Sequence, residues 1–396
     1  MPMPARLTFA RPVGPSGCAC ASGGRRKRSP AWRLGRAVAM TCLALAAAGG
    51  RSAPVPEAAR AFSITRMDPA MDALIAPDAK LITVASGFGF SDGPVWIRAK
   101  NGAPGYLLVS SIIGNVIYKV TPSGQVTVLR DDAGYSGDDF AHDGKLSYIG
   151  RLHIILIGPN CTGVDPAGRL VWCAGQDRVI KRVEQDGTAG VLIDRGEGKR
   201  FNGPNDVAIA ADGAIYFTDS DVGLRGGIKG GLAEMPNAVW RWKDGRTTKV
   251  VTSSELGSEP NGIALSPDDK YLYLSAGIAP PQSRIMRYPI KADGSVGPGV
   301  PFTQGDGIGD GMKTDRLGNL YSTGPLTATV RITSPDGKLL GMINLPKPGA
   351  AEPRRLICAS ALAFGGDDAK TLYITACDDV YALPLRSPGI LEGPPR

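Results

Sequence analysis

The sequence contains very little histidine, and this restricts the chemistry that the chain can perform. Of 396 residues only His142 and His153 are histidines. A serine or cysteine hydrolase needs an imidazole held beside its nucleophile, and neither histidine lies in a supporting motif. His153 stands in an apolar run, where a core or edge position is expected. Zinc ligated by histidine is poorly supported for the same reason.

Phosphate-binding motifs are also missing. No glycine loop ends in Gly-Lys-Ser/Thr, and no dinucleotide fingerprint is present. The formal net charge is +8, but residues 1–60 contain ten basic residues and one glutamate, a net of +9. The rest of the chain therefore carries −1. Without a basic excess, the predicted globular part is not expected to bind nucleic acid.

Residues 1–61 have the features of an export leader, a signal peptide or a disordered extension. A basic stretch ends at Arg36, and an apolar run follows over 37–48. That run is too short to span a bilayer, which takes about 20 residues. Ala59-Arg60-Ala61 offers a small-residue cleavage site. The sequence predicts an exported protein, periplasmic or secreted, with no transmembrane span in the mature chain.

Short apolar strands separated by glycine and proline turns are abundant. The chain has 53 glycines and 32 prolines, and no long amphipathic helical pattern competes. Matching strand positions follow one another at intervals of 63, 45, 57, 48 and 52 residues; they are Leu107, Leu170, Ile215, Leu272, Leu320 and Leu372. A period near 50 is typical of propeller blades. We expect an all-β, six-bladed β-propeller over 62–396.

Three details of this fold are expected. Residues 80–84 form the strand that closes the ring against the last blade, which removes exposed sheet edges. Residues 131–150 form an inserted loop, because the first interval is long. Hairpin register places Cys161 opposite Cys173 and Cys358 opposite Cys377, so two disulfides would fit an oxidising compartment. The alternatives are four buried thiols and, for the fold, a β-sandwich or two small β domains.

Oxygen-bearing side chains recur at the head of the repeat. Asp92, Asn205, Asn261 and Asp310 each stand just before a strand that is expected to line the central channel. Four repeats can therefore aim two carboxylates and two amide oxygens at one point. This donor set suits Ca²⁺ best, with Mg²⁺, Mn²⁺ or Zn²⁺ as alternatives. An ordinary turn explains any one of these motifs, but not four at one structural position.

Several motifs, taken together and in order, resemble the SMP-30/gluconolactonase/LRE family of six-bladed propellers, and bacterial gluconolactonase-like members in particular. The resemblance covers about 64–384, and its motifs are Asp92-Gly-Pro-Val-Trp, Lys199-Arg-Phe-Asn-Gly-Pro-Asn-Asp, Pro260-Asn-Gly, Asp310-Gly-Met and Thr371-Leu-Tyr-Ile-Thr. It implies a lactonase with one divalent cation in the channel.

The resemblance also implies individual roles. It places Asp92, Asn261 and Asp310 on the metal and Asn205 beside or on it. Asp310 would orient or deprotonate the attacking water. Three further positions match substrate-side residues of the family: Asn160, Asn202 and Arg200.

Two departures from the family concern the pocket. Close relatives usually carry Glu where this chain has Asp92, and Ser111 replaces an Asp. These changes leave the identity of the small-molecule lactone open. They motivate a second hypothesis, a non-catalytic propeller that binds metal and ligand. A third is a different esterase, or a metal-free enzyme of the strictosidine synthase type.

Overall fold

The computed structural model describes residues 60–137, 156–226, 233–277, 283–305, 308–347 and 358–394, together with the backbone of 147–149 and 152–154. All of them belong to one compact unit, Val55–Arg396. The predicted leader lies outside the described residues except for its last two, and His142 lies outside them as well. Within these ranges no helix has the length and apolar character needed to cross a membrane.

Strands dominate the described chain. Three single-turn helices are present in it: α1 (Met71–Leu74), α2 (Val222–Gly226) and α3 (Ser253–Leu256). The first strands are β1 (Ser63–Arg66), β2 (Ile82–Ile97), β3 (Tyr106–Ser111), β4 (Val116–Val120), β5 (Val126–Arg130), β6 (Ser147–Ile149), β7 (Leu152–Ile154), β8 (Thr162–Val164), β9 (Leu170–Ala174), β10 (Val179–Val183), β11 (Ala189–Ile193), β12 (Arg195–Gly196) and β13 (Lys199–Arg200). The others are β14 (Pro204–Ile209), β15 (Ile215–Asp219), β16 (Ala238–Lys243), β17 (Arg246–Thr252), β18 (Pro260–Leu265), β19 (Tyr271–Ala276), β20 (Arg284–Pro289), β21 (Val300–Gln304), β22 (Met312–Thr314), β23 (Leu320–Gly324), β24 (Thr329–Thr333), β25 (Leu339–Asn344), β26 (Ala361–Gly365) and β27 (Thr371–Pro384).

Antiparallel pairing joins these strands into five larger sheets. Three have four strands, in the orders β8-β9-β10-β11, β14-β15-β16-β17 and β18-β19-β20-β21. A fourth runs β22-β23-β24-β25-β1, and the fifth runs β26-β27-β2-β3-β4-β5. Apart from the pairs β25–β1 and β27–β2, sequence neighbours pair in up-and-down order outward from an innermost strand. The predicted all-β propeller fold is confirmed.

The structure has five larger hydrogen-bonded sheets, so the prediction of six separate blades is wrong at the level of sheets. The first and last repeats share the six-stranded sheet because β2 is a long strand with two partners. Its first half pairs with β27, with Ile82 opposite Ala382, and its second half pairs with β3, with Val95 opposite Leu108. The expected closing strand at 80–84 is therefore confirmed, but it runs on without a break into the first repeat.

Two further features were not expected. β1 adds a fifth strand to the sheet of β22–β25, with Ser63 opposite Asn344. β6 and β7 form a small hairpin, so strand structure reaches into the segment predicted as an inserted loop. His153 lies on β7.

The hydrophobic core lies between neighbouring sheets. All five residues of β15 are buried, whereas three of the five residues of the outermost strand β11 are exposed. Between these two sheets, Phe201 packs edge-on against Phe217 and Trp240, with ring centroids 5.1 and 5.6 Å apart. Burial of this kind contributes about 25 cal/mol per Å² of apolar surface. The tight packing fixes the inner strands, and these position the candidate site.

The hairpin turns agree with the sequence. At the β14–β15 turn, Gly213 has a φ of 85° and donates its N–H to the carbonyl of Ala210 at 2.9 Å. The Asp212 carboxylate accepts the N–H of Ala214 at 2.8 Å. Glycine adopts the left-handed conformation without steric cost, and aspartate caps its own turn. The Asp-Gly turns predicted from the sequence have this local origin.

Candidate functional site

Six innermost strands pack side by side around the channel. β2 contacts β8, β8 contacts β14, β14 contacts β18, β18 contacts β22, β22 contacts β26, and β26 contacts β2. At one end of these strands lies a small cavity of about 20 Å³, lined by Asp92, Gly93, Asn160, Asn205, Asp206, Asn261, Asp310, Gly311 and Ala361. A single water needs about 10–15 Å³. The cavity therefore has room for one small occupant such as a water or an ion.

Irregular strand pairing turns the polar side chains toward the cavity. The register shifts between Asp92 and Val95 in β2, between Pro204 and Val207 in β14, and between Pro260 and Ile263 in β18. A bulge leaves residues outside the ladder and re-aims their side chains, which is why bulges are common beside functional sites. The motifs Asp-Gly-Pro, Pro-Asn-Asp and Pro-Asn-Gly are the sequences of these three irregular segments.

The glycines in these motifs let neighbouring strands approach. A Cβ on Gly262 would lie 1.9 Å from the carbonyl oxygen of Asp310, and one on Gly93 would lie 2.2 Å from that of Asn160. Real Cβ atoms do not come so close, so each position requires glycine. The glycine after Asn261 therefore brings Asp310 next to it.

Hydroxyl groups on the second strand of several repeats hold the same segments. The backbone N–H groups of Asp206, Gly262, Gly311 and Ala361 donate to side-chain hydroxyls at 3.0, 2.9, 2.7 and 3.0 Å, respectively. The four acceptors are Thr218, Ser275, Thr323 and Thr375. Thr218 also donates to the carbonyl of Asn261 in the next repeat at 2.7 Å. The first four bonds hold the cavity segments within their own repeats, and the bond from Thr218 to Asn261 joins two neighbouring repeats.

Three carboxylates face this space without a basic residue in its lining. Burial raises the pKa of Asp92 well above its ordinary range, and the nearby carboxylates of Asp310 and Asp206 raise it further. Burial, followed by the charge of Asp206, raises the pKa of Asp310 to about 7, while a hydrogen bond with Asn261 acts in the opposite direction. Each group disfavours ionisation of the others, because both desolvation and like charge penalise the anion.

Asp206 is a member of this site that the sequence interpretation did not select. Burial raises the pKa of Asp206 to about 6, and the positive charge of Lys313 is the largest opposing influence. Its carboxylate accepts the N–H groups of Val207 at 2.8 Å and Ile263 at 3.1 Å. Its position in the Pro-Asn-Asp motif, next to Asn205, was the available signal.

The structure brings together five of the seven predicted site residues. Asp92, Asn205, Asn261 and Asp310 line the cavity, as does Asn160. Asn202 lies elsewhere: it is fully buried, and its Nδ2 donates to the carbonyl of Met235 and to Oδ1 of Asn237, both at 2.9 Å.

Arg200 also lies away from the cavity lining. It is exposed on β13, where its backbone N–H donates to the carboxylate of Glu234 at 3.0 Å. The substrate roles of Asn202 and Arg200 stay predictions.

The residues present fit a hard metal cation by their chemistry. Buried carboxylates that raise one another's pKa need either protons or a positive ion. Across the described residues, no group of three or more His, Cys, Asp or Glu side chains could hold a metal ion on its own. Amide oxygens would have to complete the coordination, and three asparagines line the same cavity.

Both predicted disulfides are present. Cys161 and Cys173 are joined with their Cα atoms 5.1 Å apart, and Cys358 and Cys377 with theirs 5.4 Å apart. Cys161 is the residue directly after Asn160, which lines the cavity. The alternative of four buried thiols is excluded.

Fold and site together define a β-propeller protein with a small acidic cavity at the end of its channel. The model of the SMP-30/gluconolactonase/LRE-like region matches residues 90–378, and the chain belongs to this family. A gluconolactonase of Zymomonas mobilis subsp. mobilis is 32% identical over 346 residues, which cover 82% of this chain and 87% of that protein.

Solved structures agree with this assignment. A gluconolactonase from Xanthomonas campestris has a TM-score of 0.66 at 29% identity, over 85% of this chain and 99% of that one. Regucalcin from Agrobacterium tumefaciens has a TM-score of 0.55 at 16% identity, over 85% of this chain and 98% of that one. The second likeness supports the fold alone.

Proposed function

We propose that the protein is a lactonase, a hydrolase that opens a small-molecule sugar lactone of the gluconolactone type. The 32% sequence identity to a gluconolactonase, over most of both chains, supports lactonase activity. The single observation that carries the proposal is the cavity in which carboxylates and asparagines from the predicted positions meet. The 20 Å³ space has no room for a sugar ring, so the lactone would sit at its mouth with the ester carbonyl pointing into it.

We further propose that the cavity holds one divalent cation, with Ca²⁺ first and Zn²⁺, Mg²⁺ or Mn²⁺ as alternatives. Asp92, Asn205, Asn261 and Asp310 would hold it, since hard cations prefer carboxylate and amide oxygens. Asp206 adds a further negative charge. Such a cation supplies Lewis-acid polarisation of an ester carbonyl, which is worth several kcal/mol.

The proposed role of Asp310 is that of a general base. In the cation-free protein, burial together with Asp206 raises the pKa of Asp310 to about 7. A bound cation would lower this pKa by favouring the ionised form, and a carboxylate beside the attacking water can accept its proton. Asp310 takes a proton from the attacking water, whose oxygen bonds to the lactone carbonyl carbon. The ring C–O bond then breaks, the leaving oxygen takes up the proton, and the product is a hydroxy acid. Asn160 would hydrogen-bond a hydroxyl of the bound lactone, since a neutral amide both donates and accepts.

We infer that the propeller has six blades, with the six-stranded sheet counted as two. The contacts among six innermost strands support this interpretation. The register of β2 against β27 shifts between Ser86 and Ser91, which is where one blade would end and the next begin.

We also propose that the protein is exported and works in an oxidising compartment, and that residues 1–61 are a leader and 62–396 a single propeller domain. The two disulfides support export, because structural disulfides are rare in the reducing cytosol.

The test is hydrolysis of a panel of aldonolactones by the purified protein, with the spontaneous rate subtracted. We expect chelator-stripped protein to lose activity and Ca²⁺ to restore it. Asp310→Ala should reduce kcat/KM about 10²- to 10⁴-fold, the usual contribution of a general base. Asp78→Ala, at an exposed site, is the matched control and should leave kcat/KM unchanged.

Two outcomes would contradict the proposal. Full activity of the chelator-stripped protein would show that the reaction does not require a cation. Cation binding without turnover of any lactone would favour the non-catalytic alternative instead.

A further inference from the structure

Residues 388–394 lie against the far ends of the inner strands β8, β14, β18 and β22, and we call this segment the strap. The Arg98 guanidinium donates to the carbonyls of Leu391, at 2.8 Å, and Pro394. Gly389 donates its N–H to the carbonyl of Ala369 at 2.9 Å. The strap therefore contacts the first and last repeats through backbone groups.

Glu392 of the strap bonds to innermost strands of two further repeats. Its Oε2 accepts the N–H of Val164, the last residue of β8, at 3.0 Å. Its Oε1 accepts Nζ of Lys313 on β22 at 2.7 Å, and each side chain is 20% exposed. An ion pair held this way is fixed in place, because one partner is anchored by a backbone amide and the other by its strand.

Lys313 lies farther along the same channel than the candidate site. It lines a second cavity of about 190 Å³ with Glu392, Val164, Ala208 and Ala264. Lys313 stands three residues after Asp310, and a strand advances about 3.3 Å per residue, so its Cα lies about 10 Å from that of Asp310. The two cavities follow one another along the inner strands.

Asp206 stands between these two groups of charges. It lines the first cavity, and Lys313 is the largest influence that opposes the burial-driven rise of its pKa. Burial alone would lower the pKa of Lys313, but the charges of Glu392 and Asp206 outweigh burial and raise it. Lys313 is therefore a permanent cation at neutral pH. Neither Lys313 nor Glu392 has a role in the proposed reaction.

We propose that Lys313, held in place by Glu392 of the strap, is a built-in positive charge that sets how strongly the acidic cavity attracts a divalent cation. Lys313 touches neither cation nor substrate and acts through the field at the carboxylates, so it is a positioning residue. Glu392 in turn offsets part of its charge. The inference rests on the proposed cation at the cavity, and it adds the residues that tune its affinity.

The test measures Ca²⁺ affinity of the full chain by titration calorimetry at pH 7.5 and low salt. Lys313→Met removes a repelling charge and should tighten Ca²⁺ binding about tenfold. Glu392→Gln leaves Lys313 without its offsetting anion and should weaken binding about tenfold. Lys313→Arg keeps the charge and should stay within about twofold of the parent chain.

A matched control separates this effect from net charge. Lys338→Met changes the net charge by the same amount at a residue that is 61% exposed, and should leave the affinity unchanged. Loosening of the structure would weaken binding in both Lys313→Met and Glu392→Gln, so shifts of opposite sign support the field of Lys313. Shifts of the same sign, or none, would overturn the inference while the proposed function stands. If the parent chain binds neither Ca²⁺ nor Mg²⁺, Mn²⁺ or Zn²⁺, the proposed cation and this inference both fail.

Discussion

At the scale of single residues, the candidate site is a set of carboxylates in an unfavourable place. Asp92, Asp206 and Asp310 share a small cavity, and burial raises the pKa of each. Such groups weaken the folded state at pH values where they must ionise, because the unfolded chain ionises them without cost. A bound cation would relieve this penalty. The buried carboxylates therefore lower the stability of the folded protein, and the same negative charge attracts a cation.

This destabilisation predicts how the stability of the Asp310→Asn variant depends on pH in cation-free protein. The pKa of Asp310 is raised in the folded state, so its contribution to stability is present at low pH and is lost as pH rises through about 7. The amide cannot ionise, so the variant should be more stable than the parent chain at pH 8, by about 1–3 kcal/mol. At pH 4 this advantage should disappear.

Thermal unfolding of both proteins at pH 4 and pH 8, with chelator present, measures the effect. An equal difference in Tm at the two pH values would show that Asp310 is not the group responsible. Adding Ca²⁺ at pH 8 should reverse the order, since only the parent chain keeps the full ligand set.

At the scale of strands, irregular pairing turns side chains toward the cavity that a regular ladder would point elsewhere. A regular strand would alternate its side chains between faces, whereas the bulges in β2, β14 and β18 turn polar side chains from three strands toward one cavity. Gly93 in the β2 bulge and Gly262 in the β18 bulge allow the neighbouring segment to come close. The arrangement depends on contacts between repeats rather than on any one hairpin.

Gly262→Ala tests this dependence. The added Cβ would lie 1.9 Å from the carbonyl oxygen of Asp310, which is backbone and cannot move without displacing β22. We expect a loss of stability of about 1–3 kcal/mol and a larger loss of lactonase activity, because overpacking moves a site residue. Gly190→Ala is the matched control, since a Cβ there would meet nothing within 4 Å. Similar unfolding midpoints and activities for the two variants in a denaturant series would refute the argument.

At the scale of the whole molecule, two connections close the ring. β2 pairs with β27, and Cys377 stands opposite Ser91 at the point where the register shifts. The disulfide from Cys377 to Cys358 ties this junction to the chain just before β26. Closure by a strand from the other end of the sequence leaves few exposed edges.

Removing this disulfide should therefore destabilise the entire propeller. The Cys358→Ser/Cys377→Ser variant loses a cross-link between residues 19 apart, and we expect a cost of about 2–4 kcal/mol. Guanidinium unfolding under oxidising conditions gives the value. Under reducing conditions, which also open Cys161–Cys173, the parent chain should lose at least as much. A variant as stable as the oxidised parent chain would mean that the disulfide does not hold the junction.

The repeat made much of this account predictable from the sequence. Asp92, Asn205, Asn261 and Asp310 share one position in a repeat of about 50 residues, so a ring fold had to bring them together. The disulfide pairs followed from hairpin register in the same way. Local sequence patterns were enough to predict the features that recur from repeat to repeat.

Other features depend on contacts between distant segments and left no local pattern. Asp206 faces the cavity because the bulge in β14 turns two successive residues inward. Glu392 reaches Lys313 across 79 residues of sequence. The sharing of one sheet by the first and last repeats arises from the uninterrupted course of β2. None of these could be derived from turn chemistry or periodicity.

We propose that one divalent cation occupies the acidic cavity. A crystal structure of the protein grown with Mn²⁺, with data collected at the manganese absorption edge, would locate it. We predict a single anomalous peak within coordination distance of oxygens of Asp92, Asn205, Asn261 and Asp310. A cavity without a peak, or a peak bound elsewhere on the molecule, would contradict the account.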